Sequence, residues 1–299
     1  MNIVVSGGTG FIGRPVCAAL RQDGHKIFLL TRRIEAQRSG DSTVTVVEWN
    51  GQEAGAWEHC LDGADAVIHL AGAPIADGRW TDARKQVLTE SRIRSTRLIV
   101  EALSRCSSKP RTLISASGIG YSGARDDRVL DEGAARGQGF LADLCLAWET
   151  EALRAAEFGV RVVLLRTGMV LEQDGDALPK MLLPFRLFAG GPIMPGTQWL
   201  LTTPRVSGPV NAVAPEAVTM RQFCDVLGRV LDRPSRLPVP GFALHLALGE
   251  LGTLMTTGQR VTPAKALSEG YAFQYQTLEP DRLRSLAVHR QLPQPRPCL

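Results

Sequence analysis

The sequence predicts an α/β fold, a doubly wound parallel sheet followed by a smaller C-terminal α+β lobe, on three observations. Short apolar runs at 2–6, 26–31, 43–47, 64–70, 112–115 and 160–166 alternate with stretches at helical spacing, the alternation from which parallel sheets are built. The first run ends in Gly7, Gly8, Gly10 and Gly13, the tight strand-to-helix turn of a Rossmann-type dinucleotide-binding unit. Beyond Gly168 the texture changes, with Pro179, Pro184, Pro192, Pro195, Pro204 and Pro209 separating short elements. The expected organisation is a nucleotide-binding domain over 1–170, a substrate lobe over 171–284, and a disordered tail over 285–299, which holds three prolines and little apolar content.

Taken in order, Asn2 to Ser6 reads as a buried strand. Glycines at positions 7, 10 and 13 let the chain turn sharply, let backbone N–H groups approach a pyrophosphate, and let the next helix pack closely. That helix is expected to begin near Phe11, with Phe11, Ile12, Val16, Ala19 and Leu20 as its apolar stripe and its N-terminus facing the phosphates. Gly7, Gly8, Thr9, Gly10, Phe11, Ile12 and Gly13 are therefore cofactor-binding candidates. The second strand, Lys26 to Thr31, runs into Arg32 and Arg33. An acidic residue here would hold a ribose 2′-hydroxyl, whereas arginine accommodates a 2′-phosphate, so Thr31, Arg32 and Arg33 point to NADP(H).

Thr43 to Val47 reads as a third strand and Ala64 to Leu70 as a fourth, which stops at Ala71 and Gly72. Open α/β sheets bind ligands at such strand ends, and Leu70, Ala71 and Gly72 join the cofactor-binding set. Residues 80–106 form a helix with Val87, Ile93, Leu98, Ile99, Ala102 and Leu103 as its stripe. A fifth strand from Thr112 leads into SASGIGYSG, residues 139–158 are helical, and Val160 to Arg166 is a sixth strand. At that strand's end Arg166 reads either as a cation for a phosphate or carboxylate in the cleft, or as a strand-end arginine in solvent or in a salt bridge. Arg84 and Lys85 read as a solvated helix face, and His69 as a neutral core residue. Further on, Pro209 to Ala214 reads as a strand, Met220 to Leu231 and Phe242 to Leu251 as helices, and Tyr271, Phe273 and Tyr275 alternate as in a core strand.

With 299 residues, 44% hydrophobic and 21% charged, the chain has the composition of an ordinary globular protein with a sizeable core. A net charge of +4 spread along the sequence gives no stripe for nucleic acid. Six dispersed cysteines without a C-x-x-C pair fit reduced thiols better than disulfides or a metal centre. No apolar run approaches the roughly 18 residues of a membrane span, and no secretory leader is visible. Cytoplasmic location, with no membrane, nucleic-acid or metal partner, is the expectation.

The motifs GGTGFIG, DAVIHLAG, RWTDARKQ, LISASGIGYSG, FLADLCLAWE, LRTGMVL, LLPFRLFAGGP, SGPVNAVAP and LPVPGFALHLALGE together resemble the epimerase-like family of atypical short-chain dehydrogenases/reductases, over roughly residues 1 to 280. The resemblance implies NADP(H) and a C-terminal lobe roofing the substrate cleft. In the wider superfamily a Tyr, a Lys four residues later and a Ser perform acid–base chemistry coupled to hydride transfer. Ser117 matches the Ser position, four residues before Tyr121. The Tyr-Lys pair is missing: Leu141 and Cys145 stand at its two positions. Catalytic candidates are thus Ser117 and Tyr121, the latter as substitute acid, in a reductase or epimerase acting on a carbonyl or nucleotide-sugar-like substrate. The alternatives are an NADP(H)-binding sensor or partner-binding protein without turnover, and a structural protein without nucleotide.

A second departure is a shortened segment. Family members resembling this chain carry a strand and helix with a W-x-H-x-D-D-type motif, whereas here Ser207-Gly208-Pro209-Val210-Asn211 follows Trp199 after seven residues. The expectation is an exposed sheet edge or partly unroofed cleft, or cover from a second subunit in a homodimer.

Overall fold

In the computed structural model, residues 1–32, 34, 42–168, 197–231, 242, 246, 249–252 and 257–278 are described. Seven parallel strands form one sheet in the order β3-β2-β1-β4-β5-β7-β8. They are β1 (Asn2–Ser6), β2 (Lys26–Thr31), β3 (Val44–Glu48), β4 (Ala66–His69), β5 (Thr112–Gly118), β7 (Arg161–Thr167) and β8 (Gly208–Ala212). The order reverses between β1 and β4, so the crevice where such sheets bind ligands opens above these two strands.

Both sheet faces are covered, which is why the strands are continuously apolar. Alternation along β1 sends Val4 to one core, with Leu30, Val67, Leu113, Leu164 and Ile99. Ile3 and Val5 go to the other, with Ile68, Ile114, Val163, Val16 and Leu20. Helix α1 (Gly13–Gln22) covers the second face. Helices α2 (Asp82–Arg105) and α3 (Phe140–Leu153) lie against each other by the first.

Two helical boundaries shift for identifiable reasons. Thr81 caps α2 by accepting the Arg84 N–H at 3.2 Å, so the helix starts two residues past Trp80. The stripe of α2 passes through Leu88 rather than Val87, which is 47% exposed, and includes buried Arg92, Ser95 and Thr96. Beyond α3 the chain tightens into a 3₁₀ turn, Arg154–Phe158, closed by Gly159 at φ 79°.

The C-terminal lobe joins the sheet by main-chain and carboxylate links. A short parallel ladder pairs β6 (Val129–Leu130) with β9 (Arg260–Val261). Buried Glu132 accepts the Asn211 N–H on one oxygen at 3.0 Å and the Lys265 N–H on the other at 3.1 Å. Helix α4 (Thr197–Thr202) places Leu200 in the second core, α5 (Met220–Leu231) matches the predicted span, and α6 (Ala264–Ser268) ends on the lobe. Among the described residues β3 and β8 are the two edge strands of the sheet.

The aromatics Tyr271, Phe273 and Tyr275 are half-buried in alternation but belong to no strand. Tyr271 packs against Trp199 at 5.1 Å and Phe273 at 4.7 Å between ring centroids. Their order thus comes from ring packing in place of the expected ladder. The 170 boundary, half of the residues of the 242–251 helix and the tail lie outside the described residues. No helix among the described residues is long and apolar enough to cross a membrane.

Candidate functional site

The glycine loop is built so that side chains cannot occupy it. A Cβ at Gly13 would lie 2.1 Å from the Gly7 carbonyl oxygen and 2.5 Å from Gly8 Cα. At Gly7, where φ is 72°, a Cβ would stand 2.7 Å from Ala71 N and 2.8 Å from Leu70 O. Gly8 is closed in by Leu29 at 2.4 Å and Cys17 at 2.8 Å. Close approach therefore brings the β1–α1 turn against Leu70 and Ala71, and the two predicted segments meet. Helix α1 begins after Ile12, which offers no side-chain cap, and its first turn holds no acid. This leaves an uncompensated N-terminal dipole facing the crevice, a cradle that fits a pyrophosphate.

Thr9, Phe11 and Ile12 lie in the same turn, and Thr9 gives its carbonyl to Arg14 Nε at 2.9 Å. The ladder pairs Ser6 with Leu30, so Thr31 and exposed Arg32 emerge on the β2 side of the glycine loop. Arg33 lies outside the described residues.

His69 terminates β4 in full burial. Its Nδ1 lies 2.6 Å from Ser6 Oγ, and its Nε2 lies 3.0 Å from Thr96 Oγ1 and 3.2 Å from Ser95 Oγ. The Thr96 and Ser95 hydroxyls donate to the Arg92 and Ser91 carbonyls at 2.7 and 2.8 Å. The ring hydrogen thus belongs on Nε2, and Nδ1 accepts from Ser6. Burial pushes the imidazole pKa down to about 3, and the neutral-core reading holds.

On the far side of the crevice, β5 and β7 align Ser117 with Arg166 and Gly118 with Thr167. Ser117 donates its hydroxyl to Glu149 Oε1 at 2.6 Å. Glu149 also takes Arg166 Nε on Oε1 and Nη2 on Oε2, each at 2.7 Å. Arg166 and Glu149 are both buried, their side chains 4% and 6% exposed. The guanidinium carbon lies 3.6 Å from the centroid of the Tyr121 ring. Burial opposes the Arg166 charge, but the hydrogen bonds and attraction of Glu149, with a further contribution from Tyr121, outweigh it and the pKa rises. Of the readings open to Arg166, the salt bridge is the one found, with Glu149 as its partner.

Tyr121 belongs to a 3₁₀ turn, Ile119–Ser122, folded onto α3: a Cβ at Gly120 would lie 3.1 Å from Leu141 Cβ. Leu141 and Cys145 therefore line the same corner as Tyr121. The Cys145 thiol lies 3.6 Å from the Gly118 carbonyl, and burial pushes its pKa up to about 11, with Glu149 adding to the rise. Lys85 pairs with Glu250 of the lobe at 2.7 Å and lies 5.4 Å from the Phe140 ring, so it bridges the lobes where a solvated face was expected. Arg84 donates to the Pro74 carbonyl. Sequence reasoning missed Glu149, Glu132 and Arg92, although each occupies a buried position. Among the described residues no three His, Cys, Asp or Glu side chains converge.

Residues 3–177 match the family model described as the NAD dependent epimerase/dehydratase family, and residues 239–280 match a domain of unknown function. The chain is 39% identical to the epimerase family protein SDR39U1 homolog, chloroplastic, of Arabidopsis thaliana, covering 96% of this chain and 86% of that one. It is 38% identical to the epimerase family protein YfhF of Bacillus subtilis, covering 93% and 96%. Among solved structures, the human epimerase family protein SDR39U1 (isoform 2) with NADPH superposes with a TM-score of 0.81 at 28% identity, covering 98% of this chain and 100% of the other.

Proposed function

Because the chain belongs to the NAD dependent epimerase/dehydratase family, as an epimerase-like atypical short-chain dehydrogenase/reductase, we propose that it binds NADP(H) and interconverts a carbonyl and an alcohol on a small molecule of nucleotide-sugar type. The observation that carries the chemistry is the Arg166 guanidinium, clamped by Glu149 and held 3.6 Å from the Tyr121 ring. Gly7 to Gly13 and the start of α1 would take the pyrophosphate, Arg32 and Arg33 the 2′-phosphate, and Leu70 to Gly72 the wall of the crevice. When bound, the cofactor supplies or accepts a hydride at the carbonyl carbon.

The protein's own groups manage the proton. In reduction Tyr121 gives its hydroxyl hydrogen to the carbonyl oxygen, and the fixed positive charge of Arg166 stabilises the negative charge that develops on the ring. Ser117 has its hydrogen committed to Glu149, so it meets the substrate as an acceptor and orients a hydroxyl group. This differs from the carbonyl-polarising Ser that the family resemblance implies.

The sensor reading rests on the family resemblance, which puts Leu141 and Cys145 at the positions of the Tyr-Lys pair: Leu141 has no ionisable group, and the Cys145 thiol is buried with its pKa pushed up to about 11. Two measurements separate the readings. Titration of NADPH and NADH against tryptophan fluorescence should show tighter NADPH binding. NADPH consumption by highly purified protein, across carbonyl compounds and nucleotide sugars, supports the enzyme; binding without turnover on any of them favours the sensor.

A further inference from the structure

The corner beside Tyr121 is apolar, although the groups behind it are charged. Leu141 closes so tightly on Gly120 that a Cβ there would lie 3.1 Å from Leu141 Cβ, which sets the first turn of α3 against the turn that carries Tyr121. Phe140, one residue earlier, meets Trp80 with ring centroids 5.3 Å apart and planes at 69°. Trp80 lies near the end of the loop between β4 and α2, and its indole N–H is spent on the Ile75 carbonyl at 2.9 Å. Trp80, Phe140, Leu141 and Tyr121 are all half-buried. They line one wall, from the carboxyl end of β5 to that of β4, along the crevice where open α/β sheets hold their ligands.

The chemistry of this wall says what it takes. The charges next to it are already engaged: Lys85, 5.4 Å from the Phe140 ring centroid, pairs with Glu250 at 2.7 Å, and Arg166, 3.6 Å from the Tyr121 ring centroid, pairs with Glu149. A phosphate or carboxylate bound here would have to displace one of those acids. Two aromatic rings set at a steep angle offer flat apolar surface instead, which gains most from a flat apolar partner stacked on it or set edge-on. Leu141 carries that surface up to the Tyr121 turn.

We propose that Trp80, Phe140 and Leu141 form a substrate subsite that determines specificity. It takes the apolar face of a ring that bears the reacting carbonyl or alcohol, whether a hydrocarbon ring or the C–H face of a sugar ring. The inference rests on the reading of Tyr121 as the acid at the reacting group, but its test is binding without turnover. Acetophenone is the hydrocarbon-ring probe, UDP-glucose the sugar-ring probe, and hydroxyacetone a carbonyl without a ring. Each is titrated by isothermal titration calorimetry into wild type, Phe140→Ala and Leu141→Asn, with and without saturating NADP+. Fluorescence titrations of NADPH and circular dichroism melts accompany each protein.

Wild type is expected to hold at least one ring probe about 10-fold or more tighter than hydroxyacetone, the scale of burying a ring face. The variants should lose about 5- to 10-fold in affinity for that probe, the scale of one aromatic or aliphatic contact, and keep NADPH affinity within about twofold. A selective loss of acetophenone assigns a hydrocarbon ring, and a selective loss of UDP-glucose a sugar ring. Ring probes that bind wild type no tighter than hydroxyacetone overturn the proposal. So does ring-probe affinity unchanged in both variants, or lost only in proportion to NADPH affinity, which marks structural residues. If Phe140→Ala does not fold, Phe140→Leu takes its place under the same criteria. Failure of wild type to bind NADPH removes the NADP(H) reading, and the titrations without nucleotide then decide the subsite.

Discussion

Glu149 clamps Arg166 through both carboxylate oxygens, at 2.7 Å each, and the clamped guanidinium lies flat enough to stand 3.6 Å from the centre of the Tyr121 ring. The same carboxylate takes the Ser117 hydroxyl at 2.6 Å. One buried acid from α3 therefore sets the positions of Ser117, Tyr121 and Arg166, which come from β5, the turn after it and β7.

Removing one partner of this pair should be far worse than removing both. Glu149→Gln leaves Arg166 as a buried unpaired charge and is expected to cost about 3–5 kcal/mol, whereas Glu149→Gln with Arg166→Met should recover part of that loss. Urea unfolding of the two single variants and the double variant measures the cycle. Strict additivity would show that the pair is not coupled.

The glycine loop should separate binding from stability. Gly13→Ala places a Cβ 2.1 Å from the Gly7 carbonyl oxygen and is expected to abolish measurable NADPH binding. Gly24→Ala meets nothing within 4 Å but must adopt φ 75°, so it should lose about 1–2 kcal/mol of stability and keep its affinity. Paired fluorescence titrations and melts report both quantities.

His69 predicts an acid limb of known sign. Its folded pKa of about 3 lies below the ordinary 6.5, so between these values the unfolded chain binds more protons. The stability is therefore intact above pH 6.5 and falls as pH drops toward 3, by about 1.4 kcal/mol per pH unit from this one group. His69→Asn should flatten the profile of urea-unfolding free energy by that slope, and an unchanged slope would contradict the assignment.

Cys145 should be chemically quiet. With its thiol pKa pushed up to about 11 it is protonated at neutral pH and nucleophilically inert. Alkylation by iodoacetamide at pH 7.5, followed on the Cys145 peptide by mass spectrometry, should be slow in the native protein and accelerate on adding denaturant.

The parallel sheet and the glycine loop were legible because both are written locally: apolar runs of strand length, and glycines that the turn geometry demands; the order of the strands was not read. Thr31, Arg32 and the Leu70–Gly72 loop followed from the topology of strand ends. Of the charged residues that shape the site, Arg166 was singled out at its strand end, but Glu149 and Arg92 were not, since a charge on a helix ordinarily reads as solvated. The available signal was periodicity. Glu149 shares a face with Cys145, Trp148 and Ala152, and Arg92 with Leu88, Thr96 and Ile99, all of them buried. A charge inside an apolar stripe marks a group whose partner comes from elsewhere in the fold. For Glu149 that partner is Arg166, 17 residues away in sequence.

The most direct test of the proposed chemistry is single-turnover NADPH oxidation by wild type and Tyr121→Phe on whichever carbonyl substrate the panel identifies, with NADPH affinity measured on the same preparations. The account predicts unchanged affinity and a rate reduced by about 100-fold or more, the scale of a lost general acid. A Tyr121→Phe protein that turns over at the wild-type rate would contradict it.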